Sequence, residues 1–395
     1  MKKKKIITEI ESLANIIFDD VVSFRNIIHK YPELSFREEK TSKFICSVLD
    51  ENKINYKKNI AGFGVVAIIK GQDPGVRVIG LRADMDALPI QEENDVSYKS
   101  VNDGVMHACG HDVHSSILLG TAIIVNKLKN NLKGTIKFIF QPAEEKLPGG
   151  ASLMIDNGVL ENPKVNKMIA LHVFPEMEVG NIGFRSGQYM AACDDLKFVI
   201  NGKGGHAALP EKTKNPITVA SELILNTRKK VSEINTENHY ILEYGDFRSF
   251  GASNVIPEKS YVEGTLRTIN EEFRNKVHEI LLEEVKKIEK KYKVTCDFEI
   301  IKGYPSLINN PDVTKKCINL SYDILNKKNI HKLPIRMASE DFSFFSQSCP
   351  SSFFRIGVSN TSRGINSLVH TSTFDIDQES IRIGLNLMSY FAFEL

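Results

Sequence analysis

Residues 76–86 read Val76-Arg77-Val78-Ile79-Gly80-Leu81-Arg82-Ala83-Asp84-Met85-Asp86, an apolar run that stops at two aspartates. The run Val76 to Leu81 has the length and punctuation of a buried strand. Three more runs share that character: Gly64 to Ile69, Thr135 to Phe140 and Met168 to Leu171. Between two of them, Ser115 to Leu128 carries helical periodicity. Continuous apolar strands alternating with helices predict an α/β fold whose mainly parallel sheet is covered on both faces. Ligands of such sheets sit beyond the carboxyl ends of the strands.

Outward from this centre, residues 8–29 and 38–53 read as two helices separated by Tyr31-Pro32. From about residue 190 the order becomes strand (Leu196 to Ile200), helix (Pro216 to Val231), strand (Tyr240 to Phe250), strand (Ser260 to Arg267), helix (Glu271 to Lys290), strand (Val294 to Ile301). That is a split βαβ, ferredoxin-like pattern of α+β type. After Gly303-Tyr304-Pro305 the alternation resumes: a helix near Asp312 to Leu325, a strand Ser352 to Val358 and a last amphipathic helix from Gln378. The expected organisation is one α/β domain from residues 1–189 and 304–395, with residues 190–303 inserted as a smaller domain.

The chain has 395 residues, enough for two or three domains. Its 51 Lys and Arg nearly balance 49 Asp and Glu, which argues against a dedicated nucleic-acid binder. No apolar run approaches the roughly 18 residues of a membrane span. Lys2-Lys3-Lys4-Lys5 opens like a signal peptide, but Glu9 and Glu11 interrupt the segment after it, so the lysine run reads as a solvated tail. The six scattered cysteines fit a reducing compartment, with cytoplasmic as the expectation. Five of them read as small buried apolar residues.

Cys109 differs because of its neighbours, Met106-His107-Ala108-Cys109-Gly110-His111-Asp112-Val113-His114. In a turn made accessible by Gly110, Cys109 and His111 point the same way and can share a metal. Asp112 suits the N-cap of the following helix or a contact to a ligating histidine. Glu144-Glu145, after the strand ending at Phe140, is a surface turn when read alone. Beside a metal, one carboxylate can ligate while its neighbour accepts a proton. His172 and His370, read singly, are ordinary polar residues. Gly202-Lys203-Gly204-Gly205-His206 has a superficial look of a phosphate loop but lacks the Gly-Lys-Ser/Thr ending. Asn254 and Arg267, taken alone, pass as turn or surface residues.

Taken together, HKYPELSFREEKT (29–41), LRADMDALPI (81–90), MHACGHDVH (106–114), FQPAEE (140–145), ALHVFP (170–175), GKGGHAALP (202–210), NVIP (254–257), GTLR (264–267), MASEDFSFF (337–345) and VHTSTFDID (369–377) occur in one order. The set closely resembles the bacterial and plant amidohydrolases that include N-acyl-amino-acid amidohydrolase, hippurate hydrolase and indole-acetyl-amino-acid hydrolase. These belong to the wider aminoacylase and carboxypeptidase group of two-metal enzymes. The resemblance implies a catalytic domain with two divalent metals and an inserted lid domain that closes on substrate and mediates homodimerisation. It implies Cys109, His111, Glu145, His172 and His370 as metal ligands, Glu144 as general base and Asp86 as support behind them. It also implies that His206 and Asn254 hold the scissile carbonyl and that Arg267 binds the substrate carboxylate. Asn215 stands where the family commonly has Asp, a change confined to a helix start.

At about four positions per ion, two ions need about eight, and five ligands with a bridging water supply about seven, so one ligand must bridge or bind through two atoms. Mixed S, N and O donors suit Zn²⁺ and also admit Mn²⁺, Co²⁺ or Ni²⁺. The expected substrate is a small N-acyl amino acid or short peptide. A carboxypeptidase or dipeptidase, or a biosynthetic deacetylase of the N-acetyl-diaminopimelate or N-acetylornithine type, would use the same chemistry. A non-catalytic metal binder would have no need of Glu144.

Overall fold

The structure, a computed structural model, describes residues 2–234 and 239–395. It divides into two compact units, the first made of Met1–Gly187, Ile308–Pro334 and Asp341–Leu395, the second of Gln188–Leu307 and Ile335–Glu340.

The first unit is built on an eight-stranded sheet in the order Tyr56–Ile60, Gly64–Lys70, Thr135–Gln141, Val78–Asp84, Lys167–Glu178, Ser351–Ser359, Ile182–Phe184, Ile330–Lys332. Its centre is parallel: Val78–Asp84 lies between Thr135–Gln141 and Lys167–Glu178, and Ser351–Ser359 runs parallel to the latter. The expectation of a mainly parallel sheet therefore holds for the centre, while the flanks are mixed. Tyr56–Ile60, not foreseen as a strand, turns through residues 61–63 into Gly64–Lys70, and so short a connection permits only an antiparallel pair. Both Val78–Asp84 and Thr135–Gln141 are buried along their whole length, which explains their unbroken apolar reading.

Several boundaries shift. The helix expected over residues 8–29 is two, Lys2–Ile16 and Phe18–Lys30, broken at Ile17, which turns its side chain into the core. The lysine run lies in the first turn of that first helix and is not a tail, with Lys3, Lys4 and Lys5 exposed. The central helix begins at His111, four residues before the expected Ser115, and runs to Lys127. Cys46, Cys109 and Cys317 are buried, but Cys193, Cys296 and Cys349 are only half-buried.

The second unit has a four-stranded antiparallel sheet in the order Tyr240–Arg248, Lys259–Thr268, Ala192–Asn201, Thr295–Lys302. The helices Pro216–Ile234 and Glu271–Tyr292 bury Val219, Leu223, Val277 and Leu281 in its core with Leu196, Phe198 and Leu266. This is the split βαβ arrangement. Asn270 caps the second helix through Phe273 N–H, and Asn215 Oδ1 accepts Ile217 N–H at the start of the first. No helix among the described residues is long and apolar enough to cross a membrane.

In the first unit, His111–Lys127 is buried on nearly every side and packs against Phe18–Lys30 and the last helix, Glu379–Glu394. Close approach is possible because position 120 has no side chain: a Cβ on Gly120 would lie 2.5 Å from Leu385 Cδ2 and 2.7 Å from Val21 Cγ2. Gly120→Val should therefore overpack this layer and lower stability by about 1–3 kcal/mol, measured as a lower urea midpoint with an unchanged slope.

Candidate metal centre

The His111–Lys127 helix opens at Gly110, whose φ of 86° is left-handed and whose Cβ would lie 2.5 Å from Val173 Cγ2. A side chain here would be excluded twice, by conformation and by space. The turn lets Cys109 and His111 face the carboxyl ends of the central strands. His172 arrives from the neighbouring strand, which does not stop at residue 171 as expected but continues to Glu178 because its ladder with Ser351–Ser359 continues. Glu144 and Glu145 follow Thr135–Gln141, and His370 lies in the loop before the last helix, its N–H donating to Ala108 C=O at 2.7 Å.

These residues come together. The donor atoms of Cys109, His111 and His172 lie within 4.8 Å of one another, as do those of Cys109, Glu145 and His370, and those of His111, Glu144 and Glu145. Cys109 Sγ is 3.4 Å from His172 Nε2 and 3.3 Å from His370 Nε2. His370 Nε2 is 3.3 Å from Glu145 Oε1. The thiol thus stands between two triads.

The imidazoles are oriented by their second nitrogens. His111 Nδ1–H donates to Asp86 Oδ1 (3.1 Å) and His172 Nδ1–H to the Val173 carbonyl (2.8 Å), so each Nε2 lone pair faces the centre. His114 is excluded as a donor: it accepts Val173 N–H at Nε2 (2.9 Å), and its Nδ1–H donates to Asp84 Oδ1 (2.6 Å).

Two observations show that the donor set fits cations. His111 Nε2 is buried with no hydrogen-bond partner, and the buried Glu145 Oε1 has His370 Nε2 beside it at 3.3 Å; an unsatisfied buried ring nitrogen is costly unless something else meets it. The charges also call for positive compensation. Hydrogen bonds to Cys109 and Glu145 push His370 up to about 10. Burial opposes a charged His111, yet Asp84 and Cys109 beside it hold its pKa well above the ordinary value. Burial, then Glu145, push the Cys109 thiol up, so its thiolate needs a cation beside it.

Behind the donors lie residues to which the sequence assigned no role, although Arg82 and Asp84 stand at the end of a predicted strand. Arg82, buried in Val78–Asp84, donates to Asp84 Oδ2 (2.6 Å), Asp341 Oδ1 (2.7 Å) and Gln141 Oε1 (2.8 Å). Asp341 N–H in turn donates to Glu144 Oε1 at 3.4 Å. The available signal was Asp84-x-Asp86 at a strand end, where residues two apart share a face, together with His114 one helical turn after His111. Asp112 is not the expected N-cap, because Gly110 occupies that position. Its carboxylate is buried and accepts Arg25 Nε (2.7 Å) and His29 Nδ1 (2.8 Å).

His206, Asn254 and Arg267 lie in the second unit. Gly205–His206 pairs with Val255–Ile256, which brings Asn254 beside His206, and both residues are exposed. The N–H of Ala208 donates to His206 Nδ1 (3.1 Å), leaving Nε2 to carry the proton. Gly202 and Lys203 donate their N–H groups to the carbonyls of Glu258 and Lys214, so this loop does not offer them to a phosphate. Arg267, half-exposed on Lys259–Thr268, reaches Ser339 Oγ and the Met337 carbonyl only at 3.4 and 3.5 Å.

The chain is 39% identical over 302 residues to an N-acyl-L-amino acid amidohydrolase of Geobacillus stearothermophilus, covering 76% of this chain and 81% of that one. It is 34% identical over 384 residues to thermostable carboxypeptidase 1 of Saccharolobus solfataricus, covering 96% of each. Its structure superposes with a TM-score of 0.82 on a Bacillus subtilis protein described as a dinuclear metal-binding peptidase of the M20 family, at 30% identity over 96% of this chain and 98% of the other. Residues 80–394 match the profile of peptidase family M20/M25/M40, and the chain belongs to that family.

Proposed function

We propose that this chain is a two-metal amidohydrolase that cleaves the amide bond of N-acyl amino acids, N-acetyl or N-benzoyl, releasing a carboxylic acid and a free amino acid. The observation that carries this reading is Glu144, a buried carboxyl whose Oε2 lies 4.0 Å from the His111 Nε2 that faces the donor centre. Cys109, His111, Glu145, His172 and His370 would hold the two ions, their donor atoms falling into the neighbouring groups Cys109, His111, His172 and Cys109, Glu145, His370. The donors admit Zn²⁺, Mn²⁺, Co²⁺ or Ni²⁺.

Two divalent cations held by these residues would supply Lewis-acid polarisation and make water a better nucleophile near neutral pH. Glu144 takes a proton from the attacking water and returns it to the leaving nitrogen. Asp86 holds His111 in its Nδ1–H tautomer. His206, with its proton on Nε2, is a donor for the developing oxyanion, and Asn254 adds its amide. Arg267 takes the free carboxylate of the substrate.

A peptidase reading has its own support in the carboxypeptidase relative, and a panel of N-acyl amino acids against dipeptides separates the two. Six free cysteines support a cytoplasmic setting. The open edge of Tyr240–Arg248 and the exposed Leu225 on the helix beside it support a homodimer through the second unit.

Three outcomes are expected. Glu144→Gln should keep its metal while kcat falls by at least ~10²-fold; metal loss in that variant would reverse the roles of the two glutamates. Alkylation of Cys109 should accelerate when chelator strips the protein, and Cys109→Ser should weaken metal binding. An alkylation rate indifferent to chelator would remove Cys109 from the ligand set. Converting the substrate carboxylate to an amide should cost ~1.5–3 kcal/mol in kcat/KM through Arg267, and equal kcat/KM for acid and amide would refute that contact.

A further inference from the structure

The loop that carries Glu144 and Glu145 is held by its backbone. Three successive N–H groups, those of Ala143, Glu144 and Glu145, donate to buried carboxyl groups at 2.7, 3.1 and 3.0 Å. The last two go to Asp86. The first goes to Glu38 Oε1, on the far side of the chain in sequence and fully buried.

Ala143 needs such a partner. Its φ is 51°, left-handed and unfavourable for a residue with a Cβ. The same Glu38 oxygen accepts Phe36 N–H at 3.0 Å, and Phe36 has a φ of 64°. One oxygen therefore secures two strained turns, one in the segment 33–38 and one at the entrance to the glutamate pair. The Ala143 carbonyl is held too, by Gly150 N–H at 2.9 Å.

Glu38 sits at the N-cap position of helix Glu39–Glu51 yet makes no side-chain cap to it. Glu33 serves that helix instead, accepting Thr41 N–H and Oγ1–H at 2.9 and 3.1 Å. The Glu38 side chain thus accepts from Phe36 and Ala143 and does not cap its own helix. Its second oxygen, Oε2, is buried with no hydrogen-bond partner. Burial and then the nearby Asp86 push this carboxyl up to about 7.

We propose that Glu38 is a positioning residue for the hydrolytic reaction: through Ala143 it fixes the turn from which Glu144 projects. The inference rests on the reading of Glu144 as base. What Glu38 contributes is an acceptor oxygen at a set place, and a glutamine carbonyl can supply the same acceptor.

The test uses the full chain loaded with two equivalents of Mn²⁺ or Zn²⁺ and assayed on N-acetyl and N-benzoyl amino acids. Glu38→Gln should keep kcat within about threefold of wild type. Glu38→Leu, which keeps bulk and loses the acceptor, should lower kcat at least about tenfold, the scale expected when a reacting group is slightly misplaced. KM should stay within about threefold and both metals should remain bound. Wild-type kcat in Glu38→Leu would overturn the proposal, as would an equal loss in Glu38→Gln, or a loss in Glu38→Leu accounted for by missing metal. Should Glu38→Leu fail to fold, Glu38→Asp decides. Drawing the acceptor back by one methylene should lower kcat at least about threefold, and an unchanged kcat would overturn the proposal. An active Glu144→Gln would defeat the base reading by itself. A fully active Glu38→Leu beside an inactive Glu144→Gln would defeat only the present inference.

Discussion

A buried carboxylate must be given donors, and Asp86 is the one on which the centre depends. It is almost wholly removed from water just past the end of the central strand Val78–Asp84. Its oxygens accept Ser35 Oγ–H, His111 Nδ1–H and the N–H groups of Glu144 and Glu145. Burial works against its charge, but the hydrogen bond to His111 and the other donors bring its pKa below the ordinary carboxylate value. The donors come from three separate segments, so satisfying one charge fixes a histidine tautomer, the N-terminal segment and the glutamate pair together. Removing the charge would loosen all three.

A second buried charge system lies alongside. Burial opposes an ionised Asp84, yet Arg82, His111 and His114 hold its pKa well below the usual value. Burial, by contrast, lowers His172 and His114, and both stay neutral with their tautomers set by the backbone around Val173. The neutral His172 imidazole on one side and the anionic groups around Cys109 and Glu145 on the other suit divalent cations. Arg25 joins the remaining pieces. It donates to Asp112, next to His111, and to Asp375 in the loop of His370, at 2.7 and 2.8 Å.

How much of this was legible in the sequence depends on what sets each feature. Buried strands announce themselves by unbroken apolar runs, so Val78–Asp84 and Thr135–Gln141 were visible. Tyr56–Ile60, an edge strand with exposed lysines between half-buried ends, was not. The break at Ile17 is set by packing and has no Pro or Gly to mark it. Cys109 and His111 were conspicuous in their motif, the glutamate pair carried meaning only beside a metal, and His172 and His370 became visible only through the resemblance. Their supports escaped because Arg82, Asp84 and Glu38 are common charged residues in sequence, and only their complete burial gives them meaning. Asp112 was misplaced because an aspartate before a helix ordinarily caps it, and here the left-handed Gly110 had already taken that position.

Left-handed non-glycine residues occur away from the centre, at Lys53, Asn59, Ala61, Asp73, Asn162 and Lys293, but three others belong to it. Phe36, Ala143 and His370 all have left-handed φ values, 64°, 51° and 63°, although none is glycine. Each is pinned by a specific hydrogen bond: Phe36 and Ala143 by Glu38, His370 through its N–H to Ala108, one residue before Cys109. Such conformations persist only where the surroundings over-determine them. Glycine at these positions would relieve the strain but would also free the loops to move, and at residue 370 it would remove a donor. A site built from loops at the end of a parallel sheet has little regular structure to position it. Strained turns locked to buried carboxyl groups and carbonyls supply the rigidity that the strands themselves cannot extend past their ends.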